Sequence, residues 1–346
     1  MERQAMKSAV FYGKHDLRIE ELETPQPGKN ELLIKVMACG ICGTDVHIWN
    51  GDEGAAKTPS GTVLGHEFAG IVEAVGEGVT DFAAGDRVCV DPNKLCGDCD
   101  WCKNGIGHFC NNMIGIGTTV NGGFSEYCLV PRSQAYKIAD STTFEMAAMT
   151  EPLACCVHGM DMCEIQPGDT VAIIGGGMIG MLMLQLSRLS GAAKVILIEP
   201  VEEKRRKAKA LGADICIDPR NEDVHAVLER NNVGRIAAVI ECVGKISTIR
   251  QAISIAGKKS VVMMFGLTAS EEELSIRPFE LFKKEIVLKA SYINPYTQNR
   301  ALALIDSGRI DVQTVVASCE ALEKLPEILD NPALRAKGKV IIRPWQ

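Results

Sequence analysis

The apolar positions along the chain change their period twice. Residues 1–150 alternate short β-rich runs, "ELLIKVMACG", "FAGIVEAVG", "GDRVCV" and "SEYCLV", with Gly and Pro turns. Alternation of that kind predicts an all-β domain with loops. From about residue 151 to 288 the pattern becomes strand then helix. "DTVAIIG" predicts a strand, and "MIGMLMLQLSRLSG" a helix stopped by Gly191. "KVILIE", "EEKRRKAKALGA", "ICID", "AAVIEC", "STIRQAISIA" and "SVVMMFG" continue the alternation. Repeated strand–helix units predict a doubly wound parallel sheet. Beyond about residue 289 the texture is mixed again, and "ALALIDSGRI" predicts a helix followed by short strands. The expected division is therefore 1–150 with 289–346 as one domain and 151–288 inserted as another. No internal repeat or low-complexity linker interrupts it.

Length and charge narrow the classes of function. A chain of 346 residues has room for two domains, each with a core. A net charge of −7 offers no long-range attraction to nucleic acid or anionic membranes. The longest apolar run, Val171 to Leu186, holds four glycines and falls short of the ~20 residues that span a bilayer. The opening "MERQAMKSAVFYG" has no apolar signal core. These features predict a cytoplasmic protein acting on a small molecule, with no nucleic-acid or membrane partner.

Fourteen cysteines in such a chain are expected to be thiols. Four of them, Cys96, Cys99, Cys102 and Cys110, stand at C-x2-C-x2-C-x7-C spacing in "LCGDCDWCKNGIGHFC". A ferredoxin cluster would continue x3-C-P, whereas seven residues intervene here and Asn111 follows. A closed four-thiolate zinc site is the favoured reading, with an iron–sulfur cluster as its rival.

"IIGGGMIG" sets Gly175, Gly177 and Gly180 at G-x-G-x-x-G between one predicted strand and one helix. The backbone through Met178 and Ile179 then opens a helix on which a pyrophosphate can sit. The side chains of Met178, Met181 and Met183 read as core packing. Glu199 ends the next strand, 19 residues on from Gly180. Its carboxylate would accept from adenosine ribose hydroxyls and repel a 2′-phosphate, which favours NAD over NADP. Lys204, Arg205 and Arg206 argue the other way unless they form a solvated helix face.

"GICGTDVH" and "GHEFAG" supply a thiolate from Cys42, an imidazole from His66 and a carboxylate from Glu67, three groups that zinc accepts. Together with the glycine loop and the cysteine lobe, they resemble the zinc-dependent medium-chain dehydrogenases along nearly the whole chain. The resemblance implies a GroES-like catalytic domain joined to a Rossmann nucleotide-binding domain. It implies two zinc ions, a catalytic one on Cys42 and His66 with Glu67 as a direct or switching ligand, and a structural one on the four cysteines. Where alcohol dehydrogenases of the family place a second cysteine, this chain has Glu151 in "TEPLACCVHG", as sorbitol dehydrogenase and some threonine dehydrogenases do. Thr44 and His47 match the family's proton relay, and Asp45 the carboxylate that fixes the tautomer of His66. A zinc ion with Cys42 and one carboxylate is neutral. A second carboxylate would blunt its acidity, so one of Glu67 and Glu151 is expected to bind at a time.

The implied reaction is hydride transfer from a secondary hydroxyl of a polyol or sugar derivative to NAD, in a homodimer or homotetramer. L-threonine 3-dehydrogenase is the nearest alternative, and a zinc-binding interaction module is the alternative outside enzymes. Specificity is expected around Trp49, Phe109 and residues 290–296.

Overall fold

The computed structural model describes residues 5–52 and 57–346. The first four residues of the stretch read for an export signal lie outside it. Two compact units form, one from residues 1–154 and 294–346, the other from 155–293. Among the described residues no helix is long and apolar enough to cross a membrane.

The first unit begins with β1 (Ala5–Gly13) and β2 (Asp16–Glu23), joined in a small sheet with β4 (Thr62–Val63). Its main sheet is centred on β3 (Glu31–Gly40), which pairs antiparallel with β5 (Glu67–Val75). Outward from β5 lie β6 (Arg87–Val90) and β10 (Ala135–Lys137), while β9 (Tyr127–Pro131) also pairs with β3. A short ladder of β7 (Asn93–Lys94) and β8 (Ile114–Gly115) flanks the cysteine segment. Side chains alternating inward from β3, β5 and β6 bury Leu32, Ile34, Val36, Phe68, Val72 and Val88 in one core. The predicted all-β texture is interrupted by short helices: α1 (Gly43–Trp49), α2 (Asp100–Lys103) and α3 (Phe144–Ala148). Their lengths of seven, four and five residues are too short for a 3.6-residue period to show. The next helix, α4 (Thr150–Cys163), carries the chain across the unit boundary.

The second unit is one six-stranded sheet in the order β13-β12-β11-β14-β15-β16, all parallel. The strands are β11 (Thr170–Ile174), β12 (Lys194–Ile198), β13 (Ile215–Ile217), β14 (Ala238–Glu241), β15 (Val261–Met264) and β16 (Val287–Ala290). Between them run α5 (Met178–Leu189), α6 (Glu202–Ala210), α7 (Val224–Arg230), α8 (Ile246–Ile255) and α9 (Pro278–Lys284). The strands read as unbroken apolar runs because helices cover both faces. Strand order reverses between β11 and β14, the switch point where such sheets bind ligands. Gly191, at φ 99°, stops the chain beyond α5 as the sequence predicts.

The chain then forms α10 (Gln298–Asp306) and returns to the first sheet as β17 (Val316–Ala321) and β18 (Lys339–Arg343). β18 pairs antiparallel with β3 at Gly40 and Cys39. That pairing brings the C-terminal segment alongside Glu67, with a consequence for the site.

Candidate active site

Cys42 caps the start of α1. Asp45, three residues on, accepts the Cys42 backbone N–H through Oδ2 at 2.8 Å, in a capping-box arrangement. The sequence that starts the helix thus also fixes the backbone from which the thiol projects. His66 follows a turn at Gly65, where φ is +97° and a Cβ would sit 2.7 Å from the Phe124 backbone nitrogen and 2.8 Å from Cys39 Sγ. Only glycine fits there. Glu67 opens β5 opposite Gly40, whose missing side chain leaves room for the carboxylate: a Cβ would lie 2.2 Å from Glu67 Oε2.

These three residues come together. Ligating atoms of Cys42, His66 and Glu67 lie within 4.8 Å of one another, and His66 and Glu67 are buried. A soft sulfur, an imidazole nitrogen and a carboxylate oxygen in one pocket fit a zinc ion. Glu151, in the first turn of α4, is buried but stands outside this trio. Burial works to lower the affinity of the His66 ring for a proton. The Asp45 carboxylate and the Cys42 thiolate outweigh it and hold the pKa well above the usual histidine value. Asp45 Oδ1 stands 3.4 Å from His66 Nδ1, an ion-pair distance at which neither buried atom has a formed hydrogen bond. Thr44 Oγ1 lies 3.7 Å from Cys42 Sγ. His47 Nδ1 lies 3.1 Å from Asp52 Oδ2, with its side chain about one-third exposed.

The sequence reading missed Lys339. Its ammonium donates to Glu67 Oε2 at 2.5 Å, Glu67 Oε1 at 2.8 Å and the Ile41 carbonyl at 2.9 Å, and both side chains are buried. Burial works against the charge on Lys339, but Glu67, Cys42 and Glu151 together raise its pKa above the ordinary lysine value. A lysine opening the buried run "KVII" was the available signal, since lysine is almost never buried unpaired. Trp49 lies in the core of the first unit, edge-on to His15.

None of the fourteen cysteines is joined in a disulfide. In the lobe, Sγ atoms of Cys96, Cys99, Cys102 and Cys110 lie within 4.8 Å of one another. Cys99–Cys102 and Cys96–Cys102 separations are 3.5 and 3.9 Å, far beyond the ~2.05 Å of a disulfide. Four sulfurs each ~2.3 Å from one ion would stand about 3.8 Å apart, so the spacing fits a single tetrahedral zinc. A four-iron cluster gives each thiolate its own iron and needs wider spacing. Backbone N–H groups of Asp98 and Cys99 hold Cys96 down to about 6, and those of Cys102 and Asn111 help to lower Cys99. Burial and the neighbouring thiols push Cys102 the other way, up to about 12, so the loop itself favours thiolates at Cys96 and Cys99.

In the second unit Gly175, at φ +99°, turns out of β11, and a Cβ on Gly180 would sit 1.8 Å from the Gly175 carbonyl oxygen. Gly177, the residue before α5, has nothing within 4 Å of an added Cβ and leaves an open approach to the Met178–Ile179 helix start. Met181 and Met183 are buried as core. Glu199 is buried at the end of β12, accepting from Gly176 N–H at 2.6 Å and Val201 N–H at 2.8 Å. Its Oε2 is therefore held at the glycine loop and its Oε1 at the turn leading into α6. Arg205 is turned inward to the Glu199 carbonyl at 2.7 Å and to Asp218 at 3.2 Å, and Arg206 pairs with Glu202.

Residues 28–140 match the alcohol dehydrogenase GroES-like domain, and residues 179–307 match zinc-binding dehydrogenase. D-arabinitol dehydrogenase 1 of Uromyces fabae is 32% identical over 98% of each chain. L-threonine 3-dehydrogenase of Caldanaerobacter subterraneus subsp. tengcongensis is 32% identical over 96% of this chain and 97% of its own. The solved structure of a zinc-binding dehydrogenase from Sinorhizobium meliloti 1021 bound to NADP is 38% identical, with a TM-score of 0.93 over 99% of this chain and 100% of its own. The chain belongs to the zinc-dependent medium-chain dehydrogenase family, with a GroES-like domain and a Rossmann domain.

Proposed function

We propose that this protein oxidises a secondary hydroxyl of a polyol or sugar derivative, with zinc and NAD as cofactors. The observation that carries the reading is the buried Cys42–His66–Glu67 cluster, in a chain whose second unit has a glycine loop with Glu199 aimed at it. The first unit is the catalytic domain and the second the nucleotide domain. When bound, zinc supplies a Lewis acid that makes a substrate hydroxyl acidic near neutral pH. Cys42 and His66 would hold it, with the Glu67 or the Glu151 carboxylate completing the set. Lys339 changes the charge count that the ligands alone suggest. It neutralises Glu67, so Glu151 can serve as the anionic ligand while the site stays neutral, and Glu67 joins only by parting from Lys339. Asp45 orients His66 through the ring nitrogen that faces it.

Thr44 takes up the proton leaving the substrate and passes it toward His47, whose partly exposed ring meets solvent beside Asp52. NAD is favoured over NADP because Glu199 presents a carboxylate where a 2′-phosphate would sit. Of Lys204, Arg205 and Arg206, which could hold that phosphate, the two arginines are engaged elsewhere. The four-cysteine lobe holds a second, structural zinc.

Self-association is supported by the second unit's edge. α9 buries none of its residues, Phe279 and Phe282 are exposed with rings 6.3 Å apart, and β16 is the outermost strand. A second copy related by a two-fold axis would cover both features and give a dimer or tetramer, which sedimentation at several concentrations tests. Fourteen cysteines outside disulfides suit a cytoplasmic setting.

The discriminating experiment is a substrate panel of four- to six-carbon polyols, their phosphates and L-threonine, assayed with NAD and NADP before and after chelation. Zinc-dependent NAD reduction by a polyol supports the proposal. Preference for threonine, which the second relative favours, replaces the substrate but keeps the chemistry. No zinc-dependent reduction with any of them refutes it.

A further inference from the structure

The way α1 ends brings a residue outside the proposed chemistry onto one inside it. The last carbonyls of this helix are all taken. The N–H of Asn50 donates to the Val46 carbonyl at 3.0 Å, that of Gly51 to Ile48 at 2.9 Å and that of Asp52 to His47 at 2.9 Å. The Trp49 carbonyl accepts from His15, in the turn between β1 and β2, at 2.9 Å. Asn50 is the C-cap, and Gly51 after it has φ +81°, a left-handed conformation. The bonds from Gly51 and Asp52 are then those of a Schellman motif, which folds the chain back over the last turn.

In that motif the residue after the glycine lies beside the residue five positions earlier, and the contact between their side chains is usually apolar. Here the two are Asp52 and His47. Their side chains repeat the backbone contact, with Asp52 Oδ2 3.1 Å from His47 Nδ1. A carboxylate can only accept, so this contact keeps the proton of the neutral ring on Nδ1 and leaves Nε2 as the acceptor. Among the described residues no other side chain meets the His47 ring in a hydrogen bond or ion pair. The neighbouring charged groups are directed elsewhere. His15 stands edge-on to Trp49 with Nδ1 3.9 Å from Asp330 Oδ1. The Lys14 stem packs on Gly51, 3.1–3.4 Å from where a Cβ would stand. Asp45, on α1 itself, turns to the Cys42 N–H and to His66.

We propose that Asp52 is a positioning residue that sets the tautomer of His47, so that Nε2 can take the substrate proton. This rests on the reading of His47 as the end of the relay. The proton leaves the substrate hydroxyl, crosses the Thr44 hydroxyl and binds His47 Nε2. The ring is then an imidazolium that still donates its Nδ1–H to Asp52, and it becomes neutral again by giving the Nε2 proton to water. Asp52 neither gains nor loses a proton. The two side chains are 35% and 59% exposed, so release to water needs no further group.

The test is Asp52→Asn in the zinc-loaded protein. An amide keeps the shape of the carboxylate but can donate to Nδ1, which admits the tautomer whose Nε2 already carries a proton and cannot accept one. With the best polyol of the substrate panel, kcat/KM should fall about tenfold or more near pH 7, and less than about twofold above about pH 9, where hydroxide serves instead. The melting point and the dissociation constant of NADH should stay those of the wild type, because an exposed pair contributes little to stability. Asp52→Glu should restore most of the rate. In a His47→Gln background Asp52→Asn should cost nothing more, whereas a structural role would still show. Two-bond proton–nitrogen spectra of histidine-labelled protein read the tautomer without turnover, with the His47 signals identified by their loss in His47→Gln. They should show the neutral ring protonated on Nδ1 in the wild type and shifted toward Nε2 in Asp52→Asn. An unchanged pH profile in His47→Gln overturns the relay reading and this role with it. A changed profile there overturns the role of Asp52 alone if Asp52→Asn turns over normally, if the double variant loses more, or if the wild-type ring carries its proton on Nε2.

Discussion

Lys339→Met is the most informative single change, because it strikes a contact whose energy can be worked from the geometry. Lys339 makes three hydrogen bonds from a buried ammonium, two of them to the fully buried Glu67. Removing one partner of such a pair strands the other charge without water and costs about 3–5 kcal/mol. In a unit of about 200 residues each kcal/mol moves the melting point by about 2–4 °C. Zinc-free Lys339→Met should therefore melt about 6–20 °C lower than the zinc-free wild type.

Zinc changes the outcome. Glu67 lies within 4.8 Å of the donors of Cys42 and His66, so a bound ion can replace the lost counter-charge. The zinc-loaded variant should recover about half of the loss. By linkage the recovered free energy appears as tighter zinc binding, and about 2 kcal/mol corresponds to roughly 30-fold. Turnover should still fall, since a second carboxylate on the ion blunts its acidity. The double variant Glu67→Gln/Lys339→Met removes both charges and should be more stable than Lys339→Met, with a coupling of at least about 2 kcal/mol. Melting with and without chelator, together with zinc competition against a chromophoric chelator, measures each quantity. If Lys339→Met is as stable as wild type without zinc, or binds zinc no more tightly, the pair does not restrain Glu67 and the charge argument fails.

Four further outcomes follow from the other contacts. Glu199→Ser should raise kcat/KM with NADP relative to NAD at least tenfold. A wild type that already prefers NADP, the cofactor bound to the Sinorhizobium relative, would remove that role from Glu199. Brief chelation should strip one zinc and all activity while the lobe keeps its ion, because a closed four-thiolate site exchanges slowly. Cys99→Ser should lower the melting point of the zinc-loaded protein, and metal content by mass spectrometry decides between this and a single ion per chain. His47→Gln should slow oxidation more below pH 7 than above it, since hydroxide replaces the missing acceptor at high pH, and an unchanged profile excludes His47 from the relay.

The parts of the site legible in the sequence are those where chemistry and local backbone coincide. Gly175 and Gly180 stand in their motif because the turn and the helix–strand approach permit nothing larger, so spacing alone located them. The four lobe cysteines lie within 15 residues, and a short loop leaves them few alternatives to meeting. Lys339 was illegible for the opposite reason. It is 272 residues from Glu67, and only the pairing of β18 with β3 brings them together. The short helices α1 and α3 are set by caps, Asp45 and Thr143, rather than by apolar period, so a reading by period passes over them. Glu199 was recognised at its position, but its bonds to Gly176 and Val201 depend on how the loop folds back over β12.

The same limit applies to Asp91, which the sequence marks only as a polar residue before Pro92. The structure half-buries it against Asn93 N–H at 3.0 Å and Asn294 Nδ2 at 3.2 Å, with no cation among its hydrogen-bond partners. Burial raises its pKa to about 6 against an ordinary 3.8, and the two amide donors only partly offset that. In the folded state Asp91 holds its proton across a range where the unfolded chain has released it. Stability from this group is therefore present below about pH 4 and lost as pH rises through about 6. A shift of about two units corresponds to roughly 3 kcal/mol between those limits. Asn in its place keeps an oxygen for the same donors and has no charge to bury. Asp91→Asn should match wild type near pH 4 and exceed its stability by up to about 3 kcal/mol near pH 7.5. Denaturant unfolding of both proteins across that range measures the difference. A gap that stays flat with pH would mean that water or the Asn93–Asn294 amides solvate the carboxylate fully, and that Asp91 carries no buried charge at neutral pH.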